Sequence, residues 1–381
     1  MLGNQLKDVQ IIFENIRSSN KPVILFGAGG QAALLLNILK DEGIQPTCFC
    51  DNNNKLWGKK YLGFNIYSYE DIKEKYDEYI IIISVRPIGA DMVINQLEEN
   101  NEKNQFLNMC VPFKVDYMLL NYNYIIQNID KYQKVYNLLA DTTSKDIFID
   151  MLNYKITGDG ISLVNKISGH TFFDDSIISK NDKHVYIDVG AYTGDTIMKF
   201  CQFNGNHYNK IIGIELEKVN FECLEKFVKY SRLQNVDLYN IGAWSQKESM
   251  TCYTFSNTKF QNANLYVKAE KVTNEKERTV IEEYKKQPTA IQMEVNSVDN
   301  ILNGKYATLI KINALSADLE ILKGCKKTIS KCKPNIVLEY GCKPEHIIEI
   351  PLLLKEIQPS YKIFLKQKNI FGDSKTILYA V

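Results

Sequence analysis

Residues 185–196 read Val185-Tyr-Ile-Asp-Val-Gly-Ala-Tyr-Thr-Gly-Asp-Thr196 and carry the strongest indication of the fold. The pattern predicts a strand that runs into Asp188, a tight turn at Gly190 and Gly194, and a helix whose N-terminus points at the turn. The glycines are spaced G-x-x-x-G, unlike the G-x-G-x-x-G of dinucleotide sites, which favours a ligand without a pyrophosphate. The acids Asp188 and Asp195 favour a ligand that carries positive charge.

Strand and helix patterns alternate along the sequence that surrounds and follows this stretch. The predicted strands are His184–Gly190, Lys210–Leu216, Val236–Ala243, Ile291–Val298, Ala307–Asn313, Asn335–Tyr340, Tyr361–Lys366 and Thr376–Val381, and the predicted helices are Asp195–Phe203, Val219–Tyr230, Ala317–Ser330 and Pro344–Ile357. The alternation predicts a doubly wound, mostly parallel sheet. The loop Gln367–Lys375 is too short for a helical crossover, so we expect the last two strands to pair as an antiparallel hairpin.

A second carboxylate closes the next predicted strand. Glu215 lies 27 positions after Asp188, where a carboxylate can accept hydrogen bonds from both hydroxyls of a ribose. The segment Asn240–Trp244 follows the third strand, where an aromatic ring could lie against a base. Adenosine with a cationic centre describes S-adenosylmethionine, which is therefore the predicted cofactor. Taken singly, each of these residues is equally compatible with a turn glycine, a helix cap or a core aromatic.

An earlier strand, glycine turn and helix come near the start of the chain. The strand Pro22–Phe26 leads into Gly27-Ala-Gly-Gly-Gln-Ala32, and the apolar run Tyr79–Ser84 is a further strand. These elements predict a small Rossmann-like unit with a parallel sheet. Its predicted nucleotide site consists of Gly27, Gly29, Gly30, Gln31 and Asp51, although the glycines can also serve packing alone. A nicotinamide-dependent oxidoreductase is a less favoured alternative, because no Tyr-x-x-x-Lys pair accompanies the turn.

Strand patterns fade between Phe113 and Ser168, where apolar residues recur at helical spacing. The predicted fold class is α/β, with two Rossmann-like units joined by helices. The predicted domains are residues 1–118, a helical connector at 119–168, and residues 169–381. A further exposed helix is expected at Lys268–Lys286.

The composition is that of a globular protein with balanced charge. Basic and acidic side chains number 46 and 45, for a formal charge of +1, so no global field favours nucleic acid or an anionic membrane. The apolar runs are shorter than the roughly 20 residues of a membrane helix, and no secretory pattern opens the sequence; we expect a cytoplasmic protein. The nine cysteines and four histidines are scattered, so we expect reduced thiols and no metal site.

Five segments together resemble one protein family. They read Leu138-Leu-Ala-Asp-Thr-Thr-Ser-Lys145, Phe172-Phe-Asp-Asp175, Tyr186-Ile-Asp-Val-Gly-Ala-Tyr-Thr-Gly-Asp-Thr196, Gly213-Ile-Glu-Leu-Glu217 and Lys343-Pro-Glu-His-Ile-Ile-Glu-Ile-Pro351. From about Val135 onward the chain is similar to the FkbM-type methyltransferases. The resemblance implies a class I methyltransferase sheet and an S-adenosylmethionine-dependent O-methyltransferase that acts on a hydroxyl of a sugar or another metabolite, as in glycan biosynthesis. The predicted cofactor residues are Asp188, Gly190, Ala191, Gly194, Asp195, Thr196, Glu215, Leu216, Gly242, Ala243 and Trp244.

The first unit has a resemblance of its own. With Asp51-Asn-Asn-Asn, Gly58 and Gly63, it looks like the nucleotide-sugar-binding domains of sugar acyltransferases and related glycan enzymes. This resemblance implies that a nucleotide-sugar is a second partner, beside a small-molecule or sugar-type methyl acceptor. A homo-oligomer is left open.

One segment departs from the family pattern. Family members carry a Lys-Ile-Asp-x-Glu-Gly-Ala-Glu type sequence, whereas this chain reads Lys311-Ile-Asn-Ala-Leu-Ser-Ala-Asp318. Asn313 and Leu315 therefore replace acids, and Ser316 replaces a glycine. Asn313 can orient a hydroxyl but cannot take its proton. The predicted catalytic residues are Asn313, Asp318 and His346, with Glu339 as a further proton acceptor. A catalytically silent binding or scaffold protein is the open alternative.

Overall fold

A computed structural model describes residues 2–85, 87–109, 122–169, 172–254, 267–268, 289–314, 317–341, 343–369 and 375–381. The chain divides into two compact units: Met1–Gln133 with Asp146–Ile167 and Asn369–Lys375 form the first, and Lys134–Lys145 with Ser168–Lys368 and Thr376–Val381 form the second. The predicted boundary at residue 118 and most of the predicted helix Lys268–Lys286 lie outside the described residues. The three-part domain division therefore stays a prediction.

The secondary structure alternates between helices and strands over most of the described chain. The helices are α1 Val9–Ser19, α2 Gly30–Asp41, α3 Tyr69–Lys75, α4 Pro87–Glu99, α5 Tyr122–Gln127, α6 Ile129–Leu138, α7 Thr142–Thr157, α8 Ile161–Val164, α9 Asp195–Phe203, α10 Lys218–Tyr230, α11 Val298–Leu302, α12 Asp318–Lys323, α13 Lys326–Cys332 and α14 Pro344–Ile357. The strands are β1 Val23–Phe26, β2 Cys48–Cys50, β3 Lys60–Tyr61, β4 Phe64–Tyr67, β5 Ile80–Ile83, β6 Gln105–Asn108, β7 Val185–Val189, β8 Lys210–Glu215, β9 Val236–Asn240, β10 Gly242–Trp244, β11 Glu248–Thr254, β12 Val267–Lys268, β13 Thr289–Ser297, β14 Leu309–Ile312, β15 Asn335–Tyr340, β16 Ile363–Asn369 and β17 Lys375–Ala380.

The first unit contains a six-stranded sheet in the order β3-β4-β2-β1-β5-β6. All neighbours pair in parallel except β3 and β4. Both faces of the central strands are buried: Leu25 and Ile82 pack with residues of α1 and α2, whereas Phe26 and Ile83 pack with residues of α3 and α4. This burial explains the unbroken apolar runs at β1 and β5. The short strands β3, β4 and β6 were not predicted, because partly exposed strands of two to four residues carry little apolar pattern.

The second unit contains a seven-stranded sheet in the order β16-β17-β15-β14-β7-β8-β9. Strands β15, β14, β7, β8 and β9 run parallel, as predicted, and β17 runs antiparallel to β15. Lys362 and Val381 exchange both of their backbone hydrogen bonds, the pattern of an antiparallel pair, so the terminal hairpin is confirmed. The direction of the strand order reverses between β7 and β14, and such a point forms the ligand crevice of a doubly wound sheet.

Three predictions of the second unit were wrong in detail. The predicted strand Val236–Ala243 is two strands, β9 and β10, which belong to different sheets. The predicted strand at Ile291–Val298 is β13, which lies with β10, β11 and β12 in a separate four-stranded sheet instead of the doubly wound one. A Cβ at Gly242 would lie 2.6 Å from the Val295 side chain, so this glycine lets β10 approach β13 closely.

The third correction concerns the predicted helix Ala317–Ser330, which is two helices, α12 and α13. The break falls at Gly324, where a Cβ would lie 2.0 Å from the carbonyl oxygen of Trp244. Glycine is required at this position because any side chain would collide with the backbone of Trp244. None of the helices in the described ranges is long and apolar enough to span a membrane.

Candidate functional site

The loop between β7 and α9 lies at the carboxyl end of β7, and its two glycines are sterically required. Gly190 has φ +75°, and a Cβ there would lie 2.2 Å from the carbonyl oxygen of Asn313. Gly194 has φ +94°, and its Cβ would lie 2.3 Å from a ring carbon of Phe227. Both positions combine left-handed backbone with close approach, so only glycine fits without displacement.

Backbone hydrogen bonds hold this loop against the end of β8. The N–H groups of Gly190 and Ala191 donate to the carbonyl oxygen of Ile214 at 2.9 and 3.1 Å. Tyr192 has the left-handed φ of 51°, which is strained for a bulky residue. Its N–H donates to Oε2 of Glu215 at 2.8 Å. This carboxylate therefore stabilises the conformation of the loop.

Glu215 is the last residue of β8 and is buried, with 8% of its surface exposed. Its Oε1 accepts the N–H of Glu217 at 2.9 Å, and the side chain of Asn220 also bonds to the carboxylate, which leaves part of its acceptor capacity for a further donor. Burial raises the pKa of Glu215 above its ordinary value, against the hydrogen bonds that lower it. Additional hydroxyl donors would stabilise the carboxylate form.

The carboxylate of Asp188 lies beneath the loop and is bonded within the protein. Its Oδ1 accepts from Nζ of Lys311 at 2.9 Å, and its Oδ2 accepts from Oγ1 of Thr196 at 2.5 Å. Asp188 is completely buried, and its charge is balanced by Lys311. Asp195, by contrast, has about half of its side chain exposed (49%) at the start of α9. The structure thus gives Asp188 internal partners and leaves Asp195 accessible.

The segment predicted beside a base, Asn240–Trp244, begins next to the end of β8. Asn240 donates from Nδ2 to the carbonyl oxygens of Glu215 and Leu216, at 2.9 and 3.0 Å. Leu216 and Trp244 both pack against the small cluster of Met250, Met293 and Val295 in the four-stranded sheet. Gly242 and Ala243 lie in β10, opposite Val295 and Asn296 of β13.

The predicted catalytic residues follow β14 and β15. Asn313 is half-buried, and its N–H donates to the carbonyl of Val189 at 3.1 Å. Asp318 opens α12 with 1% exposure, and its Oδ1 accepts the N–H of Ala314 at 3.0 Å. Burial raises the pKa of Asp318 to about 7, and the negative charge of Glu339 adds to the shift. His346 is buried in the first turn of α14. The replaced positions Leu315 and Ser316 lie outside the described residues.

The predicted nucleotide site of the first unit is built in a similar way. Gly27 has φ +114°, and a Cβ there would lie 2.4 Å from the Val85 side chain. Asp51 follows β2 and accepts the N–H of Ala28 at Oδ2 and that of Asn53 at Oδ1, both at 2.8 Å. Gly29 caps α2, Gly30 opens it, and the side chain of Gln31 is buried. In each unit, a carboxylate at or directly after the end of the second strand, Asp51 or Glu215, thus accepts a backbone N–H of the glycine loop.

Sequence reasoning missed two residues of the site. Lys311 is 1% exposed in the middle of β14; a lone lysine in an apolar strand is the signal that could have indicated it, because a lysine is rarely buried without a partner. Tyr192 was overlooked because only the fold reveals its left-handed backbone and its bond to Glu215.

Comparisons with known proteins agree with this architecture. Residues 188–358 match the family model of the methyltransferase FkbM domain, and residues 19–100 match that of the C2185-like N-terminal domain. No curated protein matched the chain. A crystal structure of methyltransferase FkbM from Methylobacillus flagellatus KT superposes with a TM-score of 0.70 at 17% identity, over 98% of this chain and 94% of that one.

Other solved methyltransferases are more distant. Fibrillarin from Aeropyrum pernix, crystallised with S-adenosyl-L-methionine, has a TM-score of 0.32 at 10% identity, over 54% of this chain and 71% of that one. A precorrin-6y C5,15-methyltransferase from Geobacter metallireducens GS-15 has a TM-score of 0.30 at 12% identity, over 59% of this chain and 88% of that one. Residues 188–358 are thus similar to the methyltransferase FkbM domain, and the chain has the fold of the Methylobacillus protein.

Proposed function

We propose that the second unit binds S-adenosylmethionine at the carboxyl edge of its seven-stranded sheet and transfers the methyl group to a hydroxyl of a sugar or related metabolite. The observation that carries the proposal is the geometry of Glu215. Two backbone N–H groups and the Asn220 side chain bond to its carboxylate, whose remaining lone-pair capacity can accept a further donor. A ribose hydroxyl is such a donor. A cytoplasmic location and a role in glycan biosynthesis belong to the same proposal.

The loop that faces this carboxylate suits the same ligand. Gly190 and Gly194 give the loop its tight left-handed turns, packed against Asn313 and Phe227, and the backbone between them is what the loop offers to a ligand. Asp195, about half exposed at the start of α9, lies 4.0 Å from Nζ of Lys199, and its carboxylate can also attract a cationic ligand. Trp244 offers an aromatic ring in the strand that follows Asn240. These residues would hold the adenosine and the charged portion of the ligand.

S-adenosylmethionine, when bound, supplies a methyl group on a positively charged sulfur. The task of this chain is to place the acceptor hydroxyl and to receive its proton. Asn313 can orient the hydroxyl through its amide. Asp318 lies five positions further on, and its pKa of about 7 is suited to taking a proton at neutral pH. Asp318 thus provides a carboxylate in this segment, although Asn313 and Leu315 replace the acids of the family pattern.

A cofactor-binding protein without turnover is the second candidate. Asn313, where the family pattern has an acid, favours it. An oxidoreductase is a weaker alternative that would use the glycine turn of the first unit. For that unit we propose a nucleotide or nucleotide-sugar as the ligand, held by the loop Gly27–Gln31 and by Asp51, because Asp51 has the same pair of backbone bonds as Glu215.

S-adenosylhomocysteine is expected to bind the wild-type chain and stabilise its second unit. At about 100 times its dissociation constant, it should add roughly 2.7 kcal/mol to the free energy of unfolding. The chain has two tryptophans, Trp57 in the first unit and Trp244 in the second. Fluorescence of a Trp57→Phe variant should therefore change with S-adenosylhomocysteine, because Trp244 is then the sole reporter. If S-adenosylhomocysteine changed neither the free energy of unfolding nor the fluorescence of Trp244, the proposed function would be contradicted.

A second variant, which keeps Trp57 and lacks Trp244, allows binding to the first unit to be measured separately. The indole of Trp57 donates to the carbonyl oxygen of Asp51 at 2.6 Å, so a Trp244→Phe variant reports on the first unit. Uridine diphosphate glucose should change its fluorescence, and S-adenosylhomocysteine should not. A response to NADH alone would favour the oxidoreductase instead. Methyl transfer from labelled S-adenosylmethionine to a panel of sugars distinguishes the active enzyme from the silent protein.

A further inference from the structure

A buried ammonium group lies under the glycine loop of the second unit. Lys311 is 1% exposed, and its Nζ has three acceptors in reach: Oδ1 of Asp188 at 2.9 Å, the carbonyl oxygen of Gly190 at 2.9 Å and Oγ1 of Thr196 at 3.4 Å. An ammonium has three donors, so its hydrogen-bonding capacity matches this set. The ring of Phe172 lies 5.4 Å away, within the range of a cation–π contact.

The three acceptors belong to three successive pieces of the chain. Asp188 is in β7, Gly190 opens the loop, and Thr196 is in the first turn of α9. Lys311 can reach all of them because it stands directly opposite Asp188 in the parallel pairing of β14 with β7. One side chain therefore fixes the distance between the end of the strand and the start of the helix.

The loop is thus held from two neighbouring strands. On the β14 side, Lys311 binds the carbonyl of Gly190. On the β8 side, Glu215 binds the N–H of Tyr192. Removal of the Lys311 bond would free the Gly190 end of the turn, and removal of the Glu215 bond would no longer enforce the left-handed φ of 51° at Tyr192.

Stability alone is a weak reason for this arrangement. Buried ion pairs can often be replaced by apolar residues of similar volume without loss of stability, because desolvation offsets the attraction of the charges. Lys311 stands among the buried apolar residues Leu309, Ile310 and Ile312, where an apolar side chain would also complete the strand. An apolar side chain could not reproduce the bonds of Lys311 to the carbonyl of Gly190 and to Thr196.

We propose that Lys311 is a positioning residue that clamps the carbonyl of Gly190 and the first turn of α9, so that the loop keeps the shape that receives the cofactor. The inference rests on the proposed function, because it assigns Lys311 to that cofactor site. Lys311 acts through the backbone of the loop and through Thr196, and Asp188 serves to balance its charge. The bond of Lys311 to Gly190 is the part that matters for the ligand.

The test is a double variant, Lys311→Met with Asp188→Asn, in the full chain. It removes both charges together and keeps the buried volume nearly unchanged. We expect cooperative unfolding close to that of wild type, but an affinity for S-adenosylhomocysteine at least about tenfold weaker, as loss of a charged hydrogen bond implies. Isothermal titration calorimetry measures the affinity. The matched variant, Lys311→Gln with Asp188→Asn, removes the same two charges but keeps an N–H donor for the carbonyl of Gly190, and it should bind S-adenosylhomocysteine more tightly than the methionine variant.

The control is an exposed ion pair of the same unit. Lys305 lies 3.4 Å from Asp237, with half of the lysine side chain exposed, and the double variant Lys305→Met with Asp237→Asn should bind S-adenosylhomocysteine as wild type does. Equal affinity of wild type and the Lys311→Met, Asp188→Asn variant would overturn the inference. Should that variant not fold, an affinity more than about tenfold below wild type in the Lys311→Gln, Asp188→Asn variant would overturn it, because that variant keeps a donor for Gly190. Absence of binding by wild type would instead overturn the proposed function, and the inference with it.

Discussion

The Gly190→Ala variant should be less stable by about 2–5 kcal/mol, the sum expected for left-handed backbone strain and for overpacking in a tight contact. The reasons are the φ of +75° and the 2.2 Å that would separate the new Cβ from the carbonyl oxygen of Asn313. Because the obstacle is backbone, rotation of a side chain cannot relieve it. The same displacement would misplace the loop, so binding of S-adenosylhomocysteine should also be lost. Denaturant unfolding and calorimetry measure the two effects.

Gly304→Ala is the matched control. Gly304 has φ +82°, similar to Gly190, but a Cβ there would meet no described atom within 4 Å. It should lose about 1 kcal/mol from backbone strain alone and keep its affinity for S-adenosylhomocysteine. Equal losses of stability in the two variants would mean that the close approach of Gly190 to Asn313 is not what requires glycine.

The Asp318→Asn variant should lose methyl transfer by about 10²- to 10⁴-fold in kcat, the range for a lost general base. An amide of the same shape can still accept the N–H of Ala314 but cannot take a proton from the acceptor. Affinity for S-adenosylhomocysteine should be unchanged, since Asp318 is assigned to the acceptor. The measurement is transfer of a labelled methyl group to the sugars that the wild-type chain accepts. Glu349→Gln, which alters an exposed carboxylate of α14, is the control.

The Asp318→Asn variant should lose activity but gain stability at alkaline pH. The pKa of Asp318 rises from 3.8 to about 7 on folding, so the folded chain holds a proton between these pH values that the unfolded chain has released. The free energy of unfolding of the wild type therefore falls as pH rises through this window, and it stops falling about one pH unit above the folded pKa, where the buried carboxylate is almost fully ionised. The variant should be more stable than wild type at pH 8 by a few kcal/mol, with little difference near pH 4. A variant that is less stable at pH 8, or fully active, would contradict this role.

Local sequence patterns were sufficient where burial and capping act within one segment. Asn335–Tyr340 and Pro344–Ile357 have the predicted bounds, because an apolar run and a proline at the helix start are strong local signals. The glycine turn at Gly190 and the acid at Glu215 were predicted for the same reason. Each is defined by its position after an apolar strand.

Features that depend on long-range pairing could not be predicted in the same way. Lys311 and Asp188 are 123 positions apart, and they meet only because β14 pairs with β7 in one register. The four-stranded sheet depends on β10 pairing with β13 across about fifty positions of sequence. The break at Gly324 depends on the backbone of Trp244. In each case the deciding partner lies far away along the chain.

The most direct test of the cofactor site is the affinity of Glu215→Gln for S-adenosylhomocysteine, measured by calorimetry beside wild type. An amide in place of the carboxylate presents an NH₂ group to a backbone N–H or to a ribose hydroxyl that needs an acceptor. We predict binding about tenfold to a hundredfold weaker, as for a lost hydrogen bond to a charged group. Glu222→Gln, on the exposed surface of α10, should bind as wild type does. Equal affinity of Glu215→Gln and wild type would contradict the assignment of this carboxylate to the cofactor.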